Sequence, residues 1–186
     1  MTTANKITIF RVICIPVFIV LMYMDGAAAR YGALAVFVIA SLSDFLDGYI
    51  ARHYNQVSNF GKFMDPLADK ILVITAMLLF VESGRMPGWV LALVVAREFA
   101  VSGLRMVAAG AKDGRVIAAN MWGKVKTVLQ MLTIIFYYFV AGIAAPTAIG
   151  AVSFITILLC WAVAAVTALS GGIYLWQNRS CFAQAK

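Results

Sequence analysis

Asp44-x-x-Asp47-Gly48-x-x-Ala51-Arg52 and, after eight intervening residues, Gly61-x-x-x-Asp65-x-x-x-Asp69 together hold four of the chain's eight acidic residues. Both halves lie in apolar segments, 31–52 and 61–81, near the ends that face each other across one short loop. The i, i+3 spacing of Asp44 and Asp47 and the i, i+4 spacing of Asp65 and Asp69 put each pair on one helical face. An ionised carboxylate at the centre of a spanning helix costs about 2.5 kcal/mol or more. Four like charges converging on one another cost more again, so something positive must lie among them.

The surrounding chain makes that cost unavoidable. Of 186 residues, 63% are hydrophobic and 12% charged, with mean hydropathy +0.93. Soluble domains carry about 25% charged residues. So little charge cannot cover a surface facing water, which excludes a soluble globular protein, a disordered chain and a nucleic-acid-binding module. The composition predicts an all-α integral membrane protein in a lipid bilayer. A spanning helix takes about 20 apolar residues, and six such segments are present: 7–24, 31–52, 61–81, 88–109, 121–143 and 146–176. Asp25-Gly26, the turn at 84–87, the polar stretch 112–115 and Pro146 punctuate them. We therefore expect six transmembrane helices in one bundle, with 1–186 a single domain. The first segment does not read as a signal peptide, because Arg11 interrupts it and no small-x-small cleavage site closes it.

The basic residues assign the sides. Lys6, Arg11, Arg52, Lys62, Lys112, Arg115, Lys124, Lys126, Arg179 and Lys186 gather on one side, against Arg30 and Arg85 on the other. The positive-inside rule makes the first side, with both termini, cytoplasmic. The net charge of +7 then reports orientation and anionic lipid as much as any acidic partner. Cys14, Cys160 and Cys181 have no metal-type spacing, and His53 is the single histidine, so thiolate zinc sites are not indicated.

Two divalent cations are the economical counter-charge for the aspartates. A carboxylate-only donor set selects hard ions such as Mg²⁺, Mn²⁺ or Ca²⁺. The competing reading is a set of solvated or salt-bridged aspartates at helix ends, with Arg52, Lys62 and Lys70 nearby. Gly48 and Gly61 let a backbone or ligand approach closely, and Arg52 offers a planar fork suited to phosphate. Metals, glycine clearance and arginine together describe a diphosphate site; each glycine alone is equally a helix-packing residue. Arg97 and Arg105, two turns apart on the fourth segment, and Lys124 and Lys126 on the fifth form a second cationic group. It suits an acceptor bearing its own phosphate, or a belt for lipid headgroups. Glu98 is positioned to pair one of these cations.

The aspartate stretch resembles the signature of the CDP-alcohol phosphotransferase family, with every specified position present, and the six-span layout resembles that family too. The resemblance implies a membrane-embedded homodimer whose active site opens to the cytoplasm, and displacement of CMP from a CDP-linked donor by an alcohol. It implies that Asp44, Asp47 and Asp65 bind one Mg²⁺ or Mn²⁺, that Asp44, Asp65 and Asp69 bind the second, and that Asp69 is the general base. Gly48, Arg52 and Ser58 would contact the cytidine diphosphate, with Gly61 beside them. The opening Asn5-Lys6-Ile7-Thr8-Ile9-Phe10-Arg11 and the segments Ala96-Arg97-Glu98 and Gly123-Lys124-x-Lys126-Thr127 are similar to the branch that makes phosphatidylglycerophosphate. That branch implies CDP-diacylglycerol and sn-glycerol 3-phosphate as substrates in a bacterial cytoplasmic membrane. It also places Asn5, Thr8 and Arg11 near the donor nucleotide, and Arg97, Arg105, Lys124 and Lys126 near the acceptor. The same chemistry with inositol phosphate is the nearest alternative. A divalent-cation transporter is another class, disfavoured because there is no inverted repeat or paired broken helix.

Overall fold

The computed structural model describes residues 3–54, 59–110, 121–143 and 146–179, and among these the side chains of 7, 9–43, 70–106, 121–140 and 147–179. The described residues form helices and no strands: α1 (Thr3–Tyr23), α2 (Ala27–Tyr54), α3 (Asn59–Glu82), α4 (Gly88–Gly110), α5 (Met121–Ile143) and α6 (Ile149–Gln177), with one 3-10 turn at Pro146–Ala148. Each of the six apolar segments is thus one helix. Among the described residues, α6 is long and apolar enough to cross a membrane, and Ile9–Tyr23 and Ala27–Ser43 are shorter apolar helices.

Backbone chemistry sets the helix ends. Gly26 and Gly84 have φ of 106° and 70°, in the left-handed region that side chains with a Cβ avoid. Gly84 closes α3: its N–H donates to the Val81 carbonyl at 3.0 Å, and the Arg85 N–H donates to the Phe80 carbonyl at 2.9 Å. Those two bonds make a Schellman cap, which satisfies carbonyls that the helix would otherwise leave open. Pro87 then starts α4, its carbonyl accepting from the Val90 N–H at 3.0 Å.

The chain forms two compact units, Met1–Leu79 with Ile134–Ser153, and Phe80–Thr133 with Phe154–Lys186. In the first, α1 packs along α2. Phe18 is fully buried there, 6.0 Å from the ring of Phe37 and edge-on to Tyr138 at 5.9 Å. Ala33 and Ala40 are also buried, and Leu21 packs over Gly32, 3.5 Å from where a Cβ would stand. Small residues opposite large ones let the two helix backbones approach.

In the second unit α4 and α6 run in the same direction. Trp89 meets Trp161 with ring centroids 5.1 Å apart, Arg97 lies on Gly171, and Arg105 reaches Tyr174, so contacts advance together along both helices. On α6 the buried positions include Thr156, Cys160, Val163, Thr167, Ser170 and Tyr174, at helical spacing. Its exposed positions include Phe154, Leu158, Trp161, Leu169 and Trp176. Hydroxyls point inward and hydrocarbon outward, which is the reverse of a helix on a protein in water. The buried hydroxyl of Ser170 donates back to the Thr167 carbonyl at 3.1 Å, which spares it from facing hydrocarbon.

Gly84→Ala is expected to destabilise the protein by roughly 1–2 kcal/mol, the cost of a left-handed residue with a Cβ. No atom crowds that position, so the penalty is purely one of backbone. Gly103→Ala, within α4 and equally open, should be neutral or stabilising by up to about 1 kcal/mol. Thermal unfolding of both variants in detergent checks the opposite signs.

Candidate active site

The four aspartates occupy two helices that continue without interruption through them. Asp44, Asp47, Gly48 and Arg52 lie on α2, and Gly61, Asp65 and Asp69 on α3. Backbone helicity holds the i, i+3 and i, i+4 pairs to one face of each helix. The side chains at these positions lie outside the described residues, as does Ser58 altogether. Among the described residues, no group of three His, Cys, Asp or Glu could hold a metal ion. The donor set on α2 and α3 consists only of hard carboxylate oxygens, and so fits Mg²⁺ or Mn²⁺ rather than a soft ion. Asn5 and Thr8 belong to α1, with side chains outside the described residues. Arg11 is completely buried, an unusual site for a guanidinium.

The second cationic group is described in atomic detail. Glu98 of α4 is shared by two cations: Arg97 Nη1 donates to its Oε1 at 3.0 Å, and Lys126 Nζ of α5 donates to the same oxygen. The side chains are 10% (Arg97), 15% (Glu98) and 3% (Lys126) exposed, so this is an ion cluster in a low-dielectric interior. Two cations thus converge on one carboxylate oxygen. A buried charge is tolerated only when paired and hydrogen-bonded, and Glu98 pairs both of them. Arg97 also has a buried Nε with no hydrogen-bond partner among the described residues, and a buried donor left unused costs about 1–3 kcal/mol. An oxyanion would satisfy that donor.

The four sequence-predicted acceptor cations are not equivalent. Arg97 and Lys126 come together through Glu98. Arg105 instead donates from Nε to the Tyr174 hydroxyl at 3.1 Å, its guanidinium 5.7 Å from the Tyr174 ring centroid. Tyr174 is itself buried against Val101 and Leu104. Lys124 is exposed, on a different face of α5 from Lys126, as an i, i+2 spacing requires.

Tyr174 and Gly171 were not singled out from sequence, and Gly123 only as the first residue of the Gly123-Lys124-x-Lys126-Thr127 segment. Tyr174 holds Arg105 from 69 residues away, and no local pattern announces such a pair. Gly123 of α5 and Gly171 of α6 border Arg97: an added Cβ would stand 2.9 Å from Arg97 Nη2 at the first and 3.2 Å from Arg97 Cγ at the second. Glycine in a helix interior is a detectable signal, but it does not say which side chain claims the space.

A sequence profile of the CDP-alcohol phosphatidyltransferase family matches residues 1–169. The chain is also 43% identical to the CDP-diacylglycerol–glycerol-3-phosphate 3-phosphatidyltransferase of Bacillus subtilis (strain 168), across 70% of this chain and 72% of that protein. The proteins of the same name from Rickettsia typhi and Haemophilus influenzae are 42% and 39% identical, covering 70% and 69% of this chain and 72% and 70% of theirs. A signature of aspartates on two successive helices, a family profile over most of the length and these identities agree: the chain belongs to the CDP-alcohol phosphatidyltransferase family.

Proposed function

We propose that the protein transfers the phosphatidyl group of CDP-diacylglycerol to sn-glycerol 3-phosphate, giving phosphatidylglycerophosphate and CMP. The relatives that carry this activity in their names are bacterial and similar over more than two thirds of their length. The observation that carries the choice of acceptor is the buried Arg97–Glu98–Lys126 cluster, two cations meeting at one carboxylate with the Arg97 Nε donor to spare. It suits an acceptor that brings its own phosphate, a dianion with more oxygens to accept from such donors than a single carboxylate has.

In the reaction, the acceptor's free hydroxyl oxygen bonds to the phosphorus of the phosphatidyl group. The bond from that phosphorus to the CMP oxygen breaks, and CMP leaves with the electron pair. Asp69 takes the hydroxyl proton; its value as a base comes mainly from position, since nearby positive charge lowers a carboxylate's basicity. Gly48 and Gly61 leave room for the diphosphate, and Arg52 and Ser58 donate to it, with Asn5, Thr8 and Arg11 toward the nucleotide. Arg97 and Lys126 orient the acceptor phosphate, with Arg105 and Lys124 adding positive potential. Asp44, Asp47, Asp65 and Asp69 would hold two Mg²⁺ or Mn²⁺ ions, which supply neutralisation of the diphosphate and of the developing charge on CMP.

The setting belongs to the same proposal. Six spans of a bacterial cytoplasmic membrane in one domain, both termini and the active site cytoplasmic, bring a lipid donor and a water-soluble acceptor to one boundary. The assembly would be a homodimer.

CMP release from CDP-diacylglycerol is expected to require sn-glycerol 3-phosphate, to stop with chelator, and to return with Mg²⁺ or Mn²⁺. Turnover of inositol phosphate alone would overturn the acceptor. Metal flux through vesicles without CMP release would point to a transporter. Asp69→Asn should lower kcat by about 100-fold or more while keeping the thermal midpoint of the wild type. Lys126→Ala should raise the KM for glycerol 3-phosphate about tenfold or more, with the KM for CDP-diacylglycerol little changed.

A further inference from the structure

Arg97 lies where two neighbouring helices carry no side chain. Gly171 of α6 borders its stem, with a hypothetical Cβ 3.2 Å from Cγ and 3.9 Å from Cβ of the arginine. Gly123 of α5 borders its head, with a hypothetical Cβ 2.9 Å from Nη2. The 3.2 Å and 2.9 Å distances are both closer than an ordinary van der Waals contact. Nη1, on the other arm of the fork, is tied to Glu98. The guanidinium is thus pinned by charge on one side and admitted by absent side chains on the other. Helical glycine costs about 0.5–1 kcal/mol relative to alanine, so each is an expense with a localised return. Gly172, the residue after Gly171, has nothing within 4 Å; the crowding therefore belongs to particular positions and not to α6 at large.

We infer that Gly123 and Gly171 are positioning residues, forming a slot from α5 and α6 that sets where the Arg97 fork meets the acceptor phosphate. The inference rests on the proposed reading of Arg97 as an acceptor ligand. A methyl group at Gly123 meets the far end of a flexible side chain and no backbone. The helix therefore keeps its place and the guanidinium moves. The consequence is a misdirected donor in a folded protein, and misplacement by about 1 Å is enough to cost on the order of 100-fold in a positioned reaction. Gly171 acts one step earlier, on the stem that carries the head.

The test is a double-mutant cycle in the full-length enzyme in mixed micelles with CDP-diacylglycerol, reading both KM values and kcat. Gly123→Ala and Gly171→Ala should each raise the glycerol 3-phosphate KM by roughly 10-fold to 100-fold, with the CDP-diacylglycerol KM and the thermal midpoint near wild type. Gly172→Ala should match wild type in all of these. In an Arg97→Ala background, which itself raises the acceptor KM, adding Gly123→Ala should change nothing further, because the clash has lost its target. If Arg97→Ala raises the acceptor KM and neither glycine variant does, the slot is overturned and the acceptor reading stands. Additive effects in the Arg97→Ala background, or loss of folded protein in both glycine variants, overturn the slot as well. An unchanged acceptor KM in Arg97→Ala overturns the reading and the slot with it.

Discussion

Glu98 receives Arg97 from its own helix and Lys126 from α5, and the arrangement of the second unit follows from that shared carboxylate. A lone ammonium or guanidinium in a low-dielectric interior costs several kcal/mol after relaxation. Glu98 offsets part of that cost for both cations. The carboxylate ties α5 to α4 at one point, and the arginine beside it then demands clearance from α5 and α6, which the glycines provide. Truncating Glu98 would take a partner from two buried cations at once.

The same scarcity of charge orders the protein as a whole. With 12% charged residues, each ionised group in an apolar helix is an expensive choice. Half of the acidic residues are spent on the two faces of α2 and α3, and another on holding two cations together. Elsewhere the chain presents hydrocarbon outward, as Phe154, Leu158, Trp161 and Leu169 do on α6, and keeps the hydroxyls of Thr156, Thr167 and Ser170 inside.

Much of this could be read directly from the residues. The alternation of apolar runs with Gly26, Gly84, Pro87 and Pro146 located all six helices, because glycine and proline act through local backbone geometry. The ends shifted by a few residues where hydropathy is silent: α1 begins at Thr3 and α2 at Ala27, among polar residues and alanines that are helical but not strongly apolar. The placement of the aspartates on two successive helices was legible from their spacing, while their side chains lie outside the described residues. Arg97, Arg105, Lys124 and Lys126 looked alike in sequence and differ in the structure. Period alone separates Lys126 from Lys124, but only tertiary packing says that Lys126 is the one turned inward to Glu98. Tyr174 as the partner of Arg105, and the space left by Gly123 and Gly171, arise from helices far apart along the chain and have no local trace.

The parallel run of α4 and α6 bears on how the protein comes into being. Parallel neighbours cannot be joined by a tight turn, so the chain must cross back through α5 before α6 can take its place. Arg97 and Glu98 leave the ribosome first, Gly123 and Lys126 follow, and Gly171 comes later. The residues of the ion cluster are therefore all made before the wall behind them. The arginine's seat is finished by α6, the latest of the three helices to be made.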